Sequence, residues 1–264
     1  MTINDSHEQL ARAAIPSLLR ELRLPTMSRL WSELADQAAG AAWSPARFLQ
    51  ALMEHEVNER DQRRISARLK ASRLPYGKTL SSFNLSCTPA LKKNHIEALC
   101  EGNEWVHQAQ NVLLFGPSGV GKSHLASAIG HGLIHHGFQV LFTRATDLIQ
   151  QLQAARRDLA LPQMLAKLDR FDCVILDDLG YAAKDQCEAG VLFELISQAY
   201  ERRSLIITCN QPFKQWDALF PDKAITLAAI DRLIHHATIL ELNVPSYRKR
   251  DAQGRSHPPA GNPA

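Results

Sequence analysis

The residues with the clearest chemical meaning form one short stretch, Gly-Pro-Ser-Gly-Val-Gly-Lys-Ser at 116–123. Glycines in this pattern let the backbone wrap so that its N–H groups point at phosphate groups, as does the N-terminus of the following helix. Lys122 would add a positive charge, and the Ser123 hydroxyl would be a ligand of Mg²⁺. The stretch predicts an ATP-binding P-loop with these nucleotide-binding residues: Gly116, Pro117, Ser118, Gly119, Val120, Gly121, Lys122, Ser123 and His124.

The surroundings of this stretch are those that a P-loop requires. An apolar run at 112–115 precedes it and a helical pattern at 124–133 follows it. A glycine-rich turn that arose by chance would not have both neighbours, so the phosphate-binding interpretation is preferred.

Two adjacent acidic residues end another apolar run. Asp177 and Asp178 follow the run at 173–176, and a P-loop site needs a carboxylate that holds the metal ion. We expect Asp177 to orient Mg²⁺, directly or through water, and Asp178 to lie where an acid would activate the attacking water. The alternative is an ordinary turn at the end of a strand.

A polar residue also ends a later apolar run. Asn210 follows the run at 204–208, which in a parallel sheet would lie between the strands at 112–115 and 173–176. Asn210 would then be near the γ-phosphate, where its amide can orient the attacking water. A plain asparagine at a strand end is the alternative.

Short apolar runs alternate with helical stretches from residue 111 onward. Nearly continuous apolar runs are typical of parallel strands that are covered on both faces. We expect an α/β fold, a parallel five-stranded sheet with helices on both faces, with strands at 112–115, 139–142, 173–176, 204–208 and 238–242.

The first part of the chain has helical periodicity instead. Pro25 opens one helix and Gly40 ends it, and Ser44 followed by Pro45 starts a longer helix that runs to about residue 72. Turn-forming residues at 74–78 and a loop-like stretch at 81–89 predict a domain boundary near 75–82. The expected domains are a small helical DNA- or partner-binding domain at 1–78, an ATPase domain at 79–250 and a disordered tail at 251–264.

The far end of the long helix is rich in basic residues. Asp61 alone opposes them in the sequence, while Ile65 and Leu69 keep a narrow apolar face. Such a helix can pack by one side and offer its charges to the phosphates of double-stranded DNA, although a solvated helix face is the alternative. The candidate DNA-binding residues are Arg60, Arg63, Arg64, Arg68, Lys70 and Arg73.

The composition excludes several classes of protein. Of the 264 residues 45% are hydrophobic and 22% are charged, with no stretch that could span a bilayer and no secretory signal, so we expect a cytoplasmic protein without a membrane partner. The five cysteines form no Cys-x-x-Cys pair and are expected to be reduced. We expect no metal site at the paired histidines, because His131 and His135 lack a third ligand and His235 and His236, as neighbours in the sequence, are expected to point to different sides.

Together these motifs resemble a known family. The chain is similar to AAA+ ATPases of the initiator type, the group that contains the helicase loader DnaC, and more closely to the IstB-type ATP-binding helper proteins of insertion-sequence transposition. The likeness covers about residues 15 to 250, and its front end and arginine motifs discriminate more than the widely shared P-loop. It depends on 116–123, 174–178, Asn210, Asp231-Arg232-Leu233, Ser246-Tyr247-Arg248, 22–27, 68–70, Leu74 and Pro75.

The resemblance implies roles for two arginines. Arg232 matches the arginine finger, which enters the active site of a neighbouring subunit and stabilises the transferred phosphoryl group. Arg248 matches the second sensor, which touches the γ-phosphate of its own subunit. A surface salt bridge is the alternative for either, and Arg202 and Arg203 are rival fingers.

Two features differ from the broader AAA+ pattern. Asp178 stands where typical members have glutamate, and its shorter side chain would slow hydrolysis. The C-terminal helical lid is expected to be absent because few residues follow the last apolar run, a truncation that DnaC-like and IstB-like proteins share.

The resemblance implies an ATP-dependent regulator of transposition. Subunits would assemble into a ring or spiral on double-stranded target DNA and would recruit and activate an integrase-like transposase. Slow ATP hydrolysis, stimulated by DNA or the partner, would control disassembly. A DnaC-like helicase loader, which would favour single strands, is the alternative, and a small-molecule kinase is a third, without a recognisable acceptor pocket or lid.

Overall fold

The computed structural model describes residues 3–89, 91–180, 185–211, 216, 223–244 and 246. Within these residues, no helix has both the length and the apolarity needed to cross a membrane. By compactness the chain divides into two units, 1–67 and 68–264, and the division falls within a helix. The domain ranges 1–78, 79–250 and 251–264 stay predictions.

The first unit is helical, as expected. It contains α1 (Ile3–Glu21), α2 (Pro25–Gly40) and most of α3 (Pro45–Ser72). Proline opens both α2 and α3, where the missing N–H costs no hydrogen bond, and the Ser44 hydroxyl oxygen accepts from the Arg47 N–H at 3.3 Å to cap α3. Met27, Leu34 and Leu52 form the buried core of this unit.

A buried carboxylate on α3 caps the start of α2. Leu24, the residue before α2, makes no side-chain capping bond, and Glu56 instead accepts from the N–H groups of Thr26 at 2.8 Å and Met27 at 3.0 Å. The Glu56 side chain is only 5% exposed. A negative charge is favourable there because the free N–H groups at a helix N-terminus carry partial positive charge.

The second unit contains one parallel sheet of five strands in the order β2-β3-β4-β1-β5. The fourth strand lies between the first and the third, as predicted from the apolar runs. The strands are β1 (Asn111–Phe115), β2 (Val140–Arg144), β3 (Cys173–Asp177), β4 (Ser204–Cys209) and β5 (Ala237–Glu241).

Helices cover both faces of this sheet. The helices of this unit after α3 are a 3₁₀ helix (Leu85–Cys87), α4 (Lys93–Glu101), α5 (Lys122–His135), α6 (Ala145–Arg157), α7 (Leu161–Leu168), α8 (Gln186–Ala199) and α9 (Lys223–Ile234). Alternate strand residues such as Leu113, Val174 and Ile207 pack with α6 to α9. On the other face α5 packs closely, since a Cβ at Gly130 would lie 2.8 Å from the Ile175 side chain. The expected α/β architecture is confirmed.

The parallel direction of the strands determines where the predicted site residues lie. The carboxyl ends of all five strands meet at one edge of the sheet. At this edge the P-loop follows β1 and Asn210 follows β4. Asp177 is the last residue of β3, and Asp178 is the residue after it. The order of the strands therefore makes these groups neighbours.

Replacing Glu56 by alanine should destabilise the protein by about 1–3 kcal/mol, since it removes the cap of α2 and leaves buried N–H groups without an acceptor. Chemical denaturation followed by circular dichroism measures this loss. Glu54→Ala is the matched control, because Glu54 is exposed on the same helix and its replacement should change stability by less than about 0.5 kcal/mol. Equal stability of the two variants would contradict the capping role.

Candidate active site

The P-loop requires glycine at two points where other segments approach it. Gly116 has φ +147°, and a Cβ there would lie 2.4 Å from the carbonyl oxygen of Leu242. Gly121 has φ +102°, and its Cβ would lie 3.1 Å from the Phe83 ring. Gly121 is also the N-cap of α5, so the loop brings the helix N-terminus to the site.

The Lys122 ammonium lies inside the loop. Its Nζ donates hydrogen bonds to the carbonyl oxygens of Gly116 at 2.6 Å and Pro117 at 2.8 Å, and to Oδ1 of Asn210 at 2.6 Å. Lys122 is only 6% exposed, so these oxygens compensate for the water that the charge has lost. The contacts fix the ammonium against both the P-loop and the end of β4.

Asn210 links Lys122 to one of the two acids. Its Oδ1 accepts from the ammonium, and its Nδ2 donates to Oδ1 of Asp178 at 3.2 Å. The lysine determines the orientation of the amide, because an ammonium group can only donate. The structure thus brings together Lys122, Asn210 and Asp178, three of the residues that the sequence suggested as catalytic.

Thr208, which the sequence analysis did not single out as a site residue, joins the two acids. Its Oγ1 donates to Oδ1 of Asp177 at 2.7 Å and accepts from the N–H of Asp178 at 2.8 Å. Asp178 has φ +65°, which is uncommon for a residue with a side chain. One hydroxyl within an otherwise apolar strand end was the signal in the sequence.

Ser123 and Asp177 are suited to hold Mg²⁺ together with a nucleotide. Ser123 lies in the first turn of α5 and Asp177 ends β3. A hydroxyl and a carboxylate are oxygen ligands, and in P-loop sites this ion takes its other ligands from phosphates and water. No group of three or more His, Cys, Asp or Glu residues in the described ranges could hold a metal ion by itself. The donor set fits an ion that is bound with phosphate.

The site opens into a pocket of about 340 Å³. Part of its lining comes from the predicted domain boundary and the loop-like stretch after it: Lys78, Ser82, Phe83, Asn84, Cys87 and Thr88. The rest comes from Ser118, Gly119, Val120, Gly121, Lys122, Ser123, His124, Asp178, Asn210 and Val244. The first segment carries no motif, and Phe83 among mostly polar residues was the signal that pointed to it.

His124, in the first turn of α5, connects this segment to the P-loop. Its Nε2 lies 3.1 Å from Oγ of Ser82 and 3.2 Å from the carbonyl oxygen of Thr79. The Phe83 ring meets the imidazole edge to face, with ring centroids 5.2 Å apart. Burial is the main cause that lowers the pKa of His124; the Thr79 carbonyl opposes it and the charge of Lys78 adds to it.

Arg232 belongs to a part of α9 whose backbone lies at the amino edge of the sheet, opposite the edge where the P-loop lies. The carbonyl oxygen of its neighbour Leu233 accepts from Nδ2 of Asn111 at 3.1 Å, at the start of β1, whereas the P-loop follows the end of β1. A strand of this length spans roughly 15 Å. The Arg232 guanidinium lies 5.1 Å from the Phe193 ring centroid and donates to the carbonyl oxygen of Ala228 at 3.0 Å.

The other arginines named from the sequence are placed differently. Arg203 is 5% exposed and its guanidinium forms an ion pair with Asp169, so it is not available to another subunit. Arg202 is exposed and lines a shallow cleft with Phe193. Arg248 lies outside the described residues.

Two of the basic residues on α3 support the buried Glu56. Arg60 and Arg63 approach its Oε1 at 3.4 and 3.7 Å, and Arg63 also donates to the Thr26 hydroxyl at 2.9 Å. Both arginine side chains remain about half exposed. They therefore help to hold α2 on α3, a contact that pairs residues far apart in the sequence.

The remaining basic residues of this set have fewer such contacts. Arg64 lies 3.8 Å from the exposed Asp61, a weak surface pair. Lys70 and Arg73 are exposed and Arg68 is partly buried. These four side chains are better candidates for contacts with DNA phosphates than Arg60 and Arg63.

Comparison with known proteins gives this arrangement a context. The profile of a family described as IstB-like ATP binding protein matches residues 17–254. A putative insertion sequence ATP-binding protein of Sinorhizobium fredii is 54% identical over 259 residues, which cover 98% of this chain and 86% of the relative. The insertion sequence IS21 putative ATP-binding protein of Pseudomonas aeruginosa is 36% identical, covering 89% of this chain and 88% of the relative.

Solved structures share the fold of the second unit. A crystal structure of the DnaC helicase loader has a TM-score of 0.54 and 20% identity, covering 64% of this chain and 98% of that one. AMPPCP-bound DnaA from Aquifex aeolicus has a TM-score of 0.54 and 16% identity, covering 70% of this chain, which spans 56% of the DnaA chain. At this identity the likeness shows the fold alone, and it agrees with the parallel sheet covered by helices.

His124 should make stability depend on pH. Because its pKa in the folded protein is below the ordinary value of 6.5, the unfolded chain takes up a proton first as the pH falls. The contribution of neutral His124 to the free energy of unfolding is therefore complete above about pH 6.5. It is lost as the pH falls from that value toward the pKa in the folded protein.

The melting temperature should fall less steeply in His124→Asn than in the wild type as the pH is lowered from about 8 to about 5. His95→Asn, exposed on α4, is the control and should keep the wild-type slope. Identical slopes in all three proteins would remove this role of His124.

Proposed function

The chain belongs to the IstB-like ATP binding protein family, and we propose that it binds ATP with Mg²⁺ and hydrolyses it to ADP and phosphate. The observation that carries this proposal is the hydrogen-bonded group of Lys122, Asn210 and Asp178. It places a cation, an amide and a carboxylate side by side at the carboxyl edge of the sheet. A cation alone would suffice to bind phosphate, whereas the amide and carboxylate are the groups that orient and deprotonate water.

ATP binding would use the loop and the segment that lines the pocket with it. The N–H groups of 116–123 and the N-terminus of α5 would hold the phosphates, and Lys122 would exchange its loop carbonyls for phosphate oxygens. Ser123 and Asp177 would hold Mg²⁺, which neutralises phosphate charge. The segment around Phe83 would contact the nucleoside, since the Phe83 ring is an aromatic side chain in the lining and can pack against a base.

Hydrolysis would depend on Asp178 and Asn210. Asn210 would orient a water molecule, and Asp178 would accept its proton as the water oxygen attacks the γ-phosphorus and the bond to the bridging oxygen breaks. Because aspartate is one methylene shorter than the glutamate of the wider AAA+ group, we expect slow hydrolysis that DNA or a partner stimulates.

A second protomer would complete the site. The backbone next to Arg232 lies about the length of β1 away from the P-loop, which supports a role for the Arg232 guanidinium at the phosphates bound by a neighbour in a ring or spiral. Arg202, exposed near the same surface, is the alternative finger. Arg248 would contact the γ-phosphate of its own protomer.

The assembly would act on double-stranded target DNA in transposition. The names of the relatives connect them with insertion sequences, which supports a partner transposase of the integrase-like kind. Residues 1–78 would bind DNA or this partner and 79–250 would form the ATPase, with hydrolysis controlling disassembly. Helicase loading has only the shared fold in its favour and is not proposed.

Two inactive variants should restore activity when mixed. Lys122→Ala should lose ATP binding and lower hydrolysis by about 100-fold or more, while Arg232→Ala should keep ATP binding and lower hydrolysis by about 1,000-fold. In the mixture, Arg232 of the first variant can complete the intact P-loop of the second. Fluorescent nucleotide binding and phosphate release measure the two steps.

Arg202→Ala is the matched control for this experiment and should hydrolyse ATP like the wild type. Loss of activity in Arg202→Ala with retention in Arg232→Ala would assign the finger to Arg202. A mixture without recovery would contradict completion of the site between protomers.

Removal of charge on α3 should weaken duplex binding and lower its salt dependence. Combined Arg64→Gln, Lys70→Gln and Arg73→Gln leaves the Glu56 cap intact, and the slope of log affinity against log salt should fall by roughly 2 to 3. Fluorescence anisotropy with ATP measures the slope. The control changes Lys92, Lys93 and Lys167, exposed outside α3, to glutamine. An unaltered slope would show that the α3 charges are only a solvated helix face. Stronger binding to single-stranded DNA than to duplex DNA would favour the helicase loader.

A further inference from the structure

We infer that Thr208 is a positioning residue that holds both acids of the site in place for ATP hydrolysis, an inference that rests on the proposed function. Thr208 lies in β4 and is fully buried. Its hydroxyl bonds to both consecutive residues at the end of β3, Asp177 and Asp178. A polar side chain that is buried among apolar strand residues needs such partners, and here the partners belong to the chemistry.

The direction of each hydrogen bond is determined by the groups themselves. The N–H of Asp178 can only donate, so the Thr208 oxygen accepts from it at 2.8 Å. The hydroxyl proton is then free to go to Oδ1 of Asp177, 2.7 Å away. A hydroxyl that donates to a carboxylate makes a stronger bond than one between neutral groups. Thr208 therefore restrains the side chain of Asp177 and the backbone of Asp178 at once.

The backbone of Asp178 needs this restraint. Its φ of +65° places it in the left-handed region, which a residue with a side chain rarely adopts. The carbonyl oxygen of Thr208 also accepts from the N–H of Leu179 at 2.9 Å. The side chain of Thr208 thus holds the N–H of Asp178, and its main chain holds the N–H of Leu179, where the chain turns away from β3.

Two side chains at the end of β4 contact the acids of the site. Thr208 and Asn210 are two residues apart, and Asn210 binds the carboxylate of Asp178 and the ammonium of Lys122. Threonine suits its position because a β-branched side chain in a strand has few rotamers, so its hydroxyl direction is well defined. We expect Thr208 to act on Mg²⁺ binding through Asp177 and on hydrolysis through Asp178.

Thr208→Val tests this inference because valine keeps the shape and removes the hydroxyl. In the full-length protein, the Mg²⁺ concentration for half-maximal binding of a fluorescent ATP analogue should rise by about tenfold, and hydrolysis should fall by about 10- to 100-fold. Binding of the analogue in excess chelator should stay at the wild-type level. Thr208→Ser restores a hydroxyl and should return both quantities to within about threefold of the wild type.

Thr143→Val is the matched control. Thr143 is a buried threonine at the carboxyl end of β2, and it belongs to the alternate set of strand residues that faces away from Thr208. Its replacement should leave the Mg²⁺ requirement unchanged. Thermal unfolding of each variant shows whether it is folded, and Thr208→Ala replaces Thr208→Val if valine prevents folding.

The outcomes separate this inference from the proposed function. A wild-type Mg²⁺ requirement and wild-type hydrolysis in Thr208→Val would overturn the positioning role, as would a Thr208→Ser variant that is as impaired as Thr208→Val. A wild-type protein that binds the analogue with Mg²⁺ but hydrolyses no ATP would contradict the proposed function. The Mg²⁺ titrations of the variants would then still decide the role of Thr208.

Discussion

The bridge that Asn210 makes between Lys122 and Asp178 depends on the position of β4 between β1 and β3. The P-loop follows β1 and the acids follow β3, so a side chain at the end of the intervening strand can reach both. The amide side chain of Asn210 also lies between the positive charge of Lys122 and the negative charge of Asp178. In a direct ion pair the ammonium and the carboxylate would bind each other, whereas here each of them binds the amide.

The features that the sequence predicted are those that short segments determine by themselves. Apolar runs predicted the strands, proline and serine predicted the starts of helices, and the spacing of glycine and lysine predicted the P-loop. Contacts between distant segments escaped this reasoning. The sequence predicts only a strand at Thr208 and only a loop at Phe83, because the importance of these residues comes from their contacts with Asp177 and Gly121. Nothing local in either segment indicates those neighbours.

The basic helix α3 shows how one set of residues can meet two requirements. Its charges looked from the sequence like a continuous surface for phosphates, yet Arg60 and Arg63 lie against Glu56, which in turn caps α2. A buried carboxylate needs hydrogen bonds and nearby positive charge. Substitutions at Arg60 or Arg63 would therefore lower the stability of the fold as well as the proposed affinity for DNA, while Lys70 and Arg73 are exposed.

The distance along β1 between the P-loop and the backbone beside Arg232 has a consequence for the proposed ATPase. In the proposed assembly each chain would carry one half of a site at each edge of its sheet, so a solitary molecule would have no complete site. Turnover per molecule should then increase with protein concentration, and dilution alone should stop it. Activity would begin above a threshold abundance, so the amount of protein made would itself decide when ATP is consumed.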